Sequence, residues 1–247
     1  MSDAEPLEGE SADDAPEHDR RVVGDEPPTD ADRDAAARGG LYALAARALT
    51  EPDEQLHEAL VSGALDRECR RLLDLTSLDV APPDLTTDDD RETVCARYND
   101  IFVLGQTTVE DRTDGTIDAE GPDVSLYESG YRPEASWNDV NLDLARAYDY
   151  FGVEVDEGRR ENHDHYRLEL EFAGYLCRRE AAVDADAARA RLDFLDRHLA
   201  VLSEGVAEAL DGEPSTGYYG ELAAFCRDLV AADTADLAAR LEGGEDP

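Results

Sequence analysis

Residues 184–212 read DADAARARLDFLDRHLAVLSEGVAEALDG. Leu192, Leu195, Leu199, Leu202, Val206 and Leu210 recur there every three or four residues. That spacing puts all six on one side of a helix and suits the core of a helical bundle. The same period appears on both sides of this stretch. Leu41, Leu44, Ala45, Ala48 and Leu49 carry it from about Asp34 to Glu51-Pro52. Leu56, Leu60 and Val61 predict a short second helix, and Leu65, Cys69, Leu72 and Leu73 a third. After Pro82-Pro83, an acidic cap at Asp88 to Asp90 opens a helix with Val94, Cys95, Tyr98, Ile101 and Phe102. Leu142, Leu144, Ala145, Tyr148 and Phe151 predict another helix that stops at Gly152. A further one starts near Asn162 and carries Leu168, Phe172, Tyr175 and Leu176. Gly217 to Ala231 predicts one helix, and Leu237 and Leu241 a last short one. No strand or hairpin pattern and no internal repeat is legible. The expected fold is all-α, a single domain of about eight to ten helices over residues 34–243.

The chain has 247 residues and a formal net charge of −38. Its 23 basic residues are all arginine, against 61 acidic ones. Such a charge excludes the usual nucleic-acid binder, which needs a basic patch to displace counterions, and argues against docking on anionic lipid. Abundant acid without lysine points to a protein adapted to concentrated salt, where self-repulsion is screened. An acidic protein from a GC-rich genome is the other reading. Residues 1–33 are acid-rich, hold four prolines and few large apolar side chains, and are expected to form a disordered acidic tail. The start lacks a basic, then apolar, signal-peptide pattern, and no run approaches a membrane span of ~20 apolar residues. Cys69, Cys95, Cys177 and Cys226 make no C-x-x-C pair, which predicts reduced, mostly buried thiols in a cytoplasmic protein.

Residues 105–136 lose the helical period. Gly105 to Gly121 is expected to be a mobile polar loop. Pro122 to Trp137 carries Leu126, Tyr127, Tyr131 and Trp137 in an irregular setting. It reads either as a loop pinned to the core or as a recognition loop on a cleft. The other informative cluster is Glu161-Asn162-His163-Asp164-His165, leading into Tyr166-Arg167-Leu168-Glu169-Leu170-Glu171-Phe172. On one helix, Glu161, Asp164 or His165, and Leu168 share a side. Three uses remain open: a capping network at a helix start, a ligand or peptide site, and a metal site through His165 and Glu169. The third lacks the further ligands that a metal needs. His57 and His198 read as ordinary helix residues.

These residues, in this order, resemble the TorD/DmsD/NarJ family of redox-enzyme maturation chaperones, over roughly residues 38–232. Ser125, Leu126 and Tyr127 match that family's serine–aliphatic–tyrosine segment. Glu161, Asp164 and His165 match its Glu-Pro-x-Asp-His motif, with Asn162 where proline is expected. Phe194, His198 and Leu199 match a Phe-x-x-x-His-Leu pattern. The resemblance implies a cytoplasmic, non-catalytic protein with no metal or cofactor of its own. Its implied partner is the twin-arginine signal peptide, or the immature catalytic subunit, of a molybdopterin oxidoreductase of the dimethyl-sulfoxide reductase superfamily. The client is held until its cofactor is inserted and it is exported. The implied oligomeric state is a monomer or a domain-swapped dimer. No nucleic acid and no stable membrane association is implied.

The residues expected to meet the client are Ser125, Leu126, Tyr127, Tyr131, Trp137, Glu161, Asp164 and His165. The aromatic ones would form an apolar wall and the acids would accept from client arginines. The rival readings are a helical adaptor with another client and a metal-dependent hydrolase using His163 and His165.

Overall fold

The computed structural model describes residues 29–107, 119–155, 162–182 and 187–243. Nine α-helices fill most of these residues. α1 (Asp30–Ala48) opens on a capping box in which Thr29 and Asp32 bond each other's backbone N–H. The helix therefore begins inside the expected tail at residues 30–33, while residues 1–28 lie outside the described residues. α2 (Glu54–Val61) and α4 (Arg91–Phe102) start on Asp53 and Asp90, whose carboxylates accept from Leu56 N and Thr93 N. These bonds hold both carboxyls below the usual aspartate range. α3 (Ala64–Leu73) lies between them, and α5 (Trp137–Tyr150) starts on Ser136.

α1 and α6 (Tyr166–Ala182) form the most extensive helix pair. Gly39 and Gly174 make that approach possible. A β-carbon on either would sit 3.0 Å from the other's carbonyl oxygen, so two alanines would force the backbones apart. α8 (Ala200–Asp211) and α9 (Tyr218–Gly243) form the second large pair. Leu41, Leu170, Leu199, Leu202, Leu222 and Leu229, all fully buried, belong to one continuous core.

The long helix expected after Asp184 is present, as α7 (Ala187–Phe194) running into α8 through a π-turn at Leu195–Leu199. The wider turn keeps Leu195, His198 and Leu199 all buried. α9 is one 26-residue helix where two were expected. Polar residues between the two expected helices are tied inward. Asp233, fully buried, accepts from Arg38 at 2.8 Å, from Arg191 at 2.7 Å and from Tyr42 Oη at 2.9 Å. Arg191 also pairs with Glu180 at 2.7 Å, and Arg38 with Asp236 at 2.7 Å.

The fold is all-α apart from a two-stranded antiparallel ribbon at the ends of the expected loop. β1 (Gly105–Thr107) sets Gly105 opposite Pro122 and Thr107 opposite Ala119 of β2 (Ala119–Pro122). Strands this short leave no alternation to read. Two apolar residues expected on inner faces, Val61 and Leu142, are instead about half exposed. Cys69, Cys177 and Cys226 are buried free thiols, and burial pushes each up to about 12. No described helix is long and apolar enough to cross a membrane.

Candidate functional site

Two stretches some 40 residues apart meet at the start of α6. Tyr127 and His165 form an isolated antiparallel bridge. Tyr166 N donates to Leu126 O at 2.8 Å, and Glu128 N donates to Asp164 O at 2.9 Å. This pairing corrects the expectation that the acidic-His cluster lies on the helix. Residues 162–165 form the turn before it, because their backbone is engaged by residues 126–128 and cannot also wind into α6. His165 Nδ1 accepts from Arg167 N at 3.2 Å, so the imidazole caps the first turn and its remaining proton sits on Nε2. Its ring stands edge-on to Tyr127, with centroids 5.0 Å apart. Asp164 is fully buried and accepts from Ser129 N at 3.2 Å.

Most of the remaining expected residues join this bridge. Ser125 Oγ accepts from Tyr127 N at 3.2 Å, and Ser125 O accepts from Tyr131 Oη at 2.8 Å. Leu126 is buried in the core. Tyr131 ends a 3-10 turn (Glu128–Tyr131), and its half-buried ring lies over Gly205 of α8. Trp137 does not enter the network among the described residues; it opens α5 with its side chain 54% exposed. Glu161 lies outside the described residues.

Beneath the bridge is a polar cluster that the sequence reading did not place. Glu128, Asp164 and Glu169 are all fully buried. Glu128 is held by Arg132 Nε and, at 3.0 Å, by His198 Nδ1 from the π-turn. His198 also faces Asp143 of α5 at 3.4 Å. It is therefore a buried link between three elements, and not the ordinary helix residue expected. Among the described residues no N–H or hydroxyl donor reaches either carboxyl oxygen of Glu169 or Oδ1 of Asp164, and the one side-chain hydrogen bond open to Glu169 is with the Glu128 carboxyl, which requires a proton between the two. Burial above all, then Glu128 and Asp164, hold Glu169 well above the usual glutamate range, while Arg132 pulls the other way. Burial likewise raises the Tyr148 phenol, with Glu169 the next cause. One signal for Glu169 was legible: a period of 3.6 puts it on the same side as Phe172, Ala173 and Leu176. The Phe-x-x-x-His-Leu pattern marked His198 without its partners, and nothing local marked Arg132.

A cleft of about 390 Å³ opens beside the 162–165 turn. Tyr148, Val155, Leu168, Phe172 and Tyr175 make its apolar wall, and Arg167 and Glu171, paired at 2.8 Å, lie on its rim. Tyr148 ties the cleft to the bridge, since its Oη donates to His163 O at 3.0 Å. A second cleft of about 370 Å³ lies between the start of α5 and the π-turn, with Asp139, Asp143 and Asp196 beside Arg132 and Arg197. The two imidazoles of the hydrolase reading serve different neighbours. The His163 ring lies against Tyr148, centroids 5.9 Å apart, and the His165 ring against Tyr127. Among the described residues no group of three or more His, Cys, Asp or Glu side chains is gathered for a metal. The geometry is that of a clamp and a groove with an apolar wall and charged residues, Glu154, Arg167, Glu171 and Arg178, along it.

Comparison with known proteins gives the chain's family. The chain is 35% identical over 120 residues to the selenate reductase assembly chaperone protein of Thauera selenatis, covering 46% of this chain and 61% of that protein. It is 33% identical over 132 residues to the chlorate reductase assembly chaperone protein of Ideonella dechloratans, covering 51% and 62%. The matches thus span a little over three fifths of those two relatives. A third, the perchlorate reductase assembly chaperone protein of Dechloromonas aromatica (strain RCB), is 25% identical over 207 residues, 81% of this chain and 90% of that one. The family described as nitrate reductase delta subunit matches residues 61–202. That span is more than half of the chain and contains both sides of the Tyr127–His165 bridge, so the chain belongs to the nitrate reductase delta subunit family of redox-enzyme maturation proteins.

Proposed function

We propose that this protein is a non-catalytic assembly chaperone for the catalytic subunit of a molybdopterin oxidoreductase. It acts in the cytoplasm and holds the immature subunit, or its twin-arginine signal peptide, until the cofactor is in place. The observation that carries this reading is the set of relatives, each named as the assembly chaperone of a reductase, one of them aligned over 81% of this chain. The geometry supports it. The apolar wall of the cleft beside the 162–165 turn suits the nonpolar stretch of a signal peptide bound as a helix. The exposed carboxylates of Glu154 and Glu171 on the cleft suit its arginines, which pair bidentately at short range and so tolerate salt. Ser125, Leu126, Tyr127, Tyr131, Trp137, Glu161, Asp164 and His165 are the residues proposed to meet the client.

Affinity capture from native extract in multimolar salt, with mass spectrometry, tests the reading. The expected product is a molybdopterin-enzyme catalytic subunit with its signal peptide uncleaved. Recovery of none, with the bait folded and such an enzyme expressed, would refute it. The site is tested separately by the Asp164→Asn, His165→Ala double variant. It should bind the captured subunit at least about tenfold more weakly, the loss of one or two charge-assisted contacts of ~1.5–3 kcal/mol each. Unchanged affinity would move the site elsewhere.

A further inference from the structure

The cluster under the bridge holds more acid than its surroundings neutralise. Glu128, Asp164 and Glu169 are all closed to water, and the first two act on the third. The groups facing them come from every neighbouring element. The 3-10 turn and the residue after it bring Glu128 and Arg132, and the turn before α6 brings Asp164 and His165. α5 brings the Tyr148 phenol and Asp143, and the π-turn brings His198, with Arg197 paired to Asp143 at 2.5 Å. α6 itself brings Arg167, which is paired to Glu171. Arg132 and His198 both act on Glu128. Among the described residues no N–H or hydroxyl donor reaches either oxygen of Glu169, and its side-chain hydrogen bond with Glu128 joins two carboxyls, so one of them must carry the proton.

A bare carboxylate in that position would be a buried charge with no hydrogen bond, next to two other acids. Burial of such a charge costs far more than holding a proton does. We propose that Glu169 carries a proton that keeps residues 125–132 seated on α6, which makes this segment a latch that loosens as the pH rises. The link is spatial. Glu128 belongs to the segment, and Asp164 holds the segment's backbone through Glu128 N and Ser129 N. When the Glu169 O–H bond breaks, its proton passes to water or buffer base and the electron pair stays on the carboxylate. The new charge then repels Glu128 and Asp164 together, and the segment is what can move away.

The direction follows from which form keeps the proton. With the segment released, Glu169 meets water and titrates near its ordinary value of 4.5. With the segment seated, it titrates well above that. Below the lower value both forms are protonated and seating is strongest. Above it, each pH unit favours release by up to about tenfold, until the seated form also ionises. The consequence for a client rests on the proposed function, because release frees Ser125, Tyr127 and Tyr131. The latch itself is a property of the free chain, and its test contains no client, so the two can fail separately.

The test is amide hydrogen exchange on the full chain at fixed salt, corrected for the intrinsic chemical rate at each pH. The probes are Glu128 N, Ser129 N and Tyr166 N, which make the three bonds across the seam. Amides of Phe225 and Leu229, in the middle of α9, serve as reference. Between pH 6 and 8 the seam should lose about 10- to 100-fold in protection while α9 holds steady. In Glu169→Gln, which has no proton to lose, the seam should not respond to pH. A flat wild-type seam, or an equal slope in Glu169→Gln, would overturn the proposal. Should that variant not fold, infrared titration of the wild type decides the matter. A protonated-carboxyl stretch present at pH 7 that disappears with the same midpoint as seam protection supports the latch. Its absence at pH 7 overturns it.

Discussion

Gly205 sets two familiar effects against each other. It lies inside α8, and replacing an interior helix glycine with alanine ordinarily gains about 0.5–1 kcal/mol. Here a β-carbon would come within 2.3, 2.5 and 2.8 Å of three ring atoms of Tyr131. Carbon atoms prefer ~3.5–4.0 Å, so the ring must move by more than about 1 Å. It cannot slide freely, because its hydroxyl is bonded to Ser125 O at 2.8 Å. Overpacking of this kind costs about 1–3 kcal/mol, and loss of the hydroxyl bond adds about 0.5–1.5. After the helix gain is set against these, Gly205→Ala should destabilise the chain by about 1–3 kcal/mol. Guanidinium unfolding followed by helical circular dichroism measures it. The decisive arm is the same substitution in a Tyr131→Ala background. With the ring gone the clash is gone, and the sign should reverse to a gain of up to about 1 kcal/mol. A neutral or stabilising Gly205→Ala in the wild type, or the same cost in both backgrounds, would show that Tyr131 is not seated on α8 as described.

Other expectations concern the charged interior and the solvent. Asp233→Asn should cost about 3–5 kcal/mol in the same unfolding assay, because it strips the shared partner from two buried guanidiniums; a cost below about 1 would mean the network is dispensable. Asp34, Asp53 and Asp90 sit below their ordinary value of 3.8 in the folded chain. Their contribution is fully present above that value and is lost below it, as pH falls through the lower folded values, so the unfolding midpoint should drop in acid, and replacing Asp34 with Asn should flatten that drop. Raising salt from 0.1 M to 1 M shortens the Debye length from ~10 Å to ~3 Å. With a net charge of −38, the melting temperature should rise across that range; no rise would remove the argument for adaptation to concentrated salt.

Helix positions were legible because they depend on local spacing and caps. Asp90 opens α4 where the acidic run suggested, and Gly152, with φ of +67°, follows α5 as a stop. What the sequence hid was set by distant partners. α6 starts at Tyr166, several residues after the first helix-compatible position, because Leu126 and Glu128 claim the backbone of the turn before it. α9 does not break at Asp233, because Arg38, Arg191 and Tyr42 satisfy that carboxylate inside the core. The site divides in the same way. Ser125, Leu126, Tyr127, Asp164 and His165 were candidates through motif order, and the structure brings them together at the bridge. Glu128 and Glu169, beside those motifs, carry the buried charge, and His198 reaches them only through a π-turn that no spacing rule announces.

The Asp233 network also has a consequence in time. Arg38 and Asp236 are 198 residues apart in the chain, and Tyr42 and Asp233 are 191 apart. At a synthesis rate of about 5–20 residues per second, roughly 10–40 s pass between the emergence of α1 and that of its partners on α9. Throughout that interval Arg38 has no Asp233 to meet, and the inner face of α1 has neither α6 nor α9 to cover it for most of it. The helix made first among these is thus the one secured last, and any pause in translation before Asp233 lengthens the exposure of an apolar surface that only the finished chain can close.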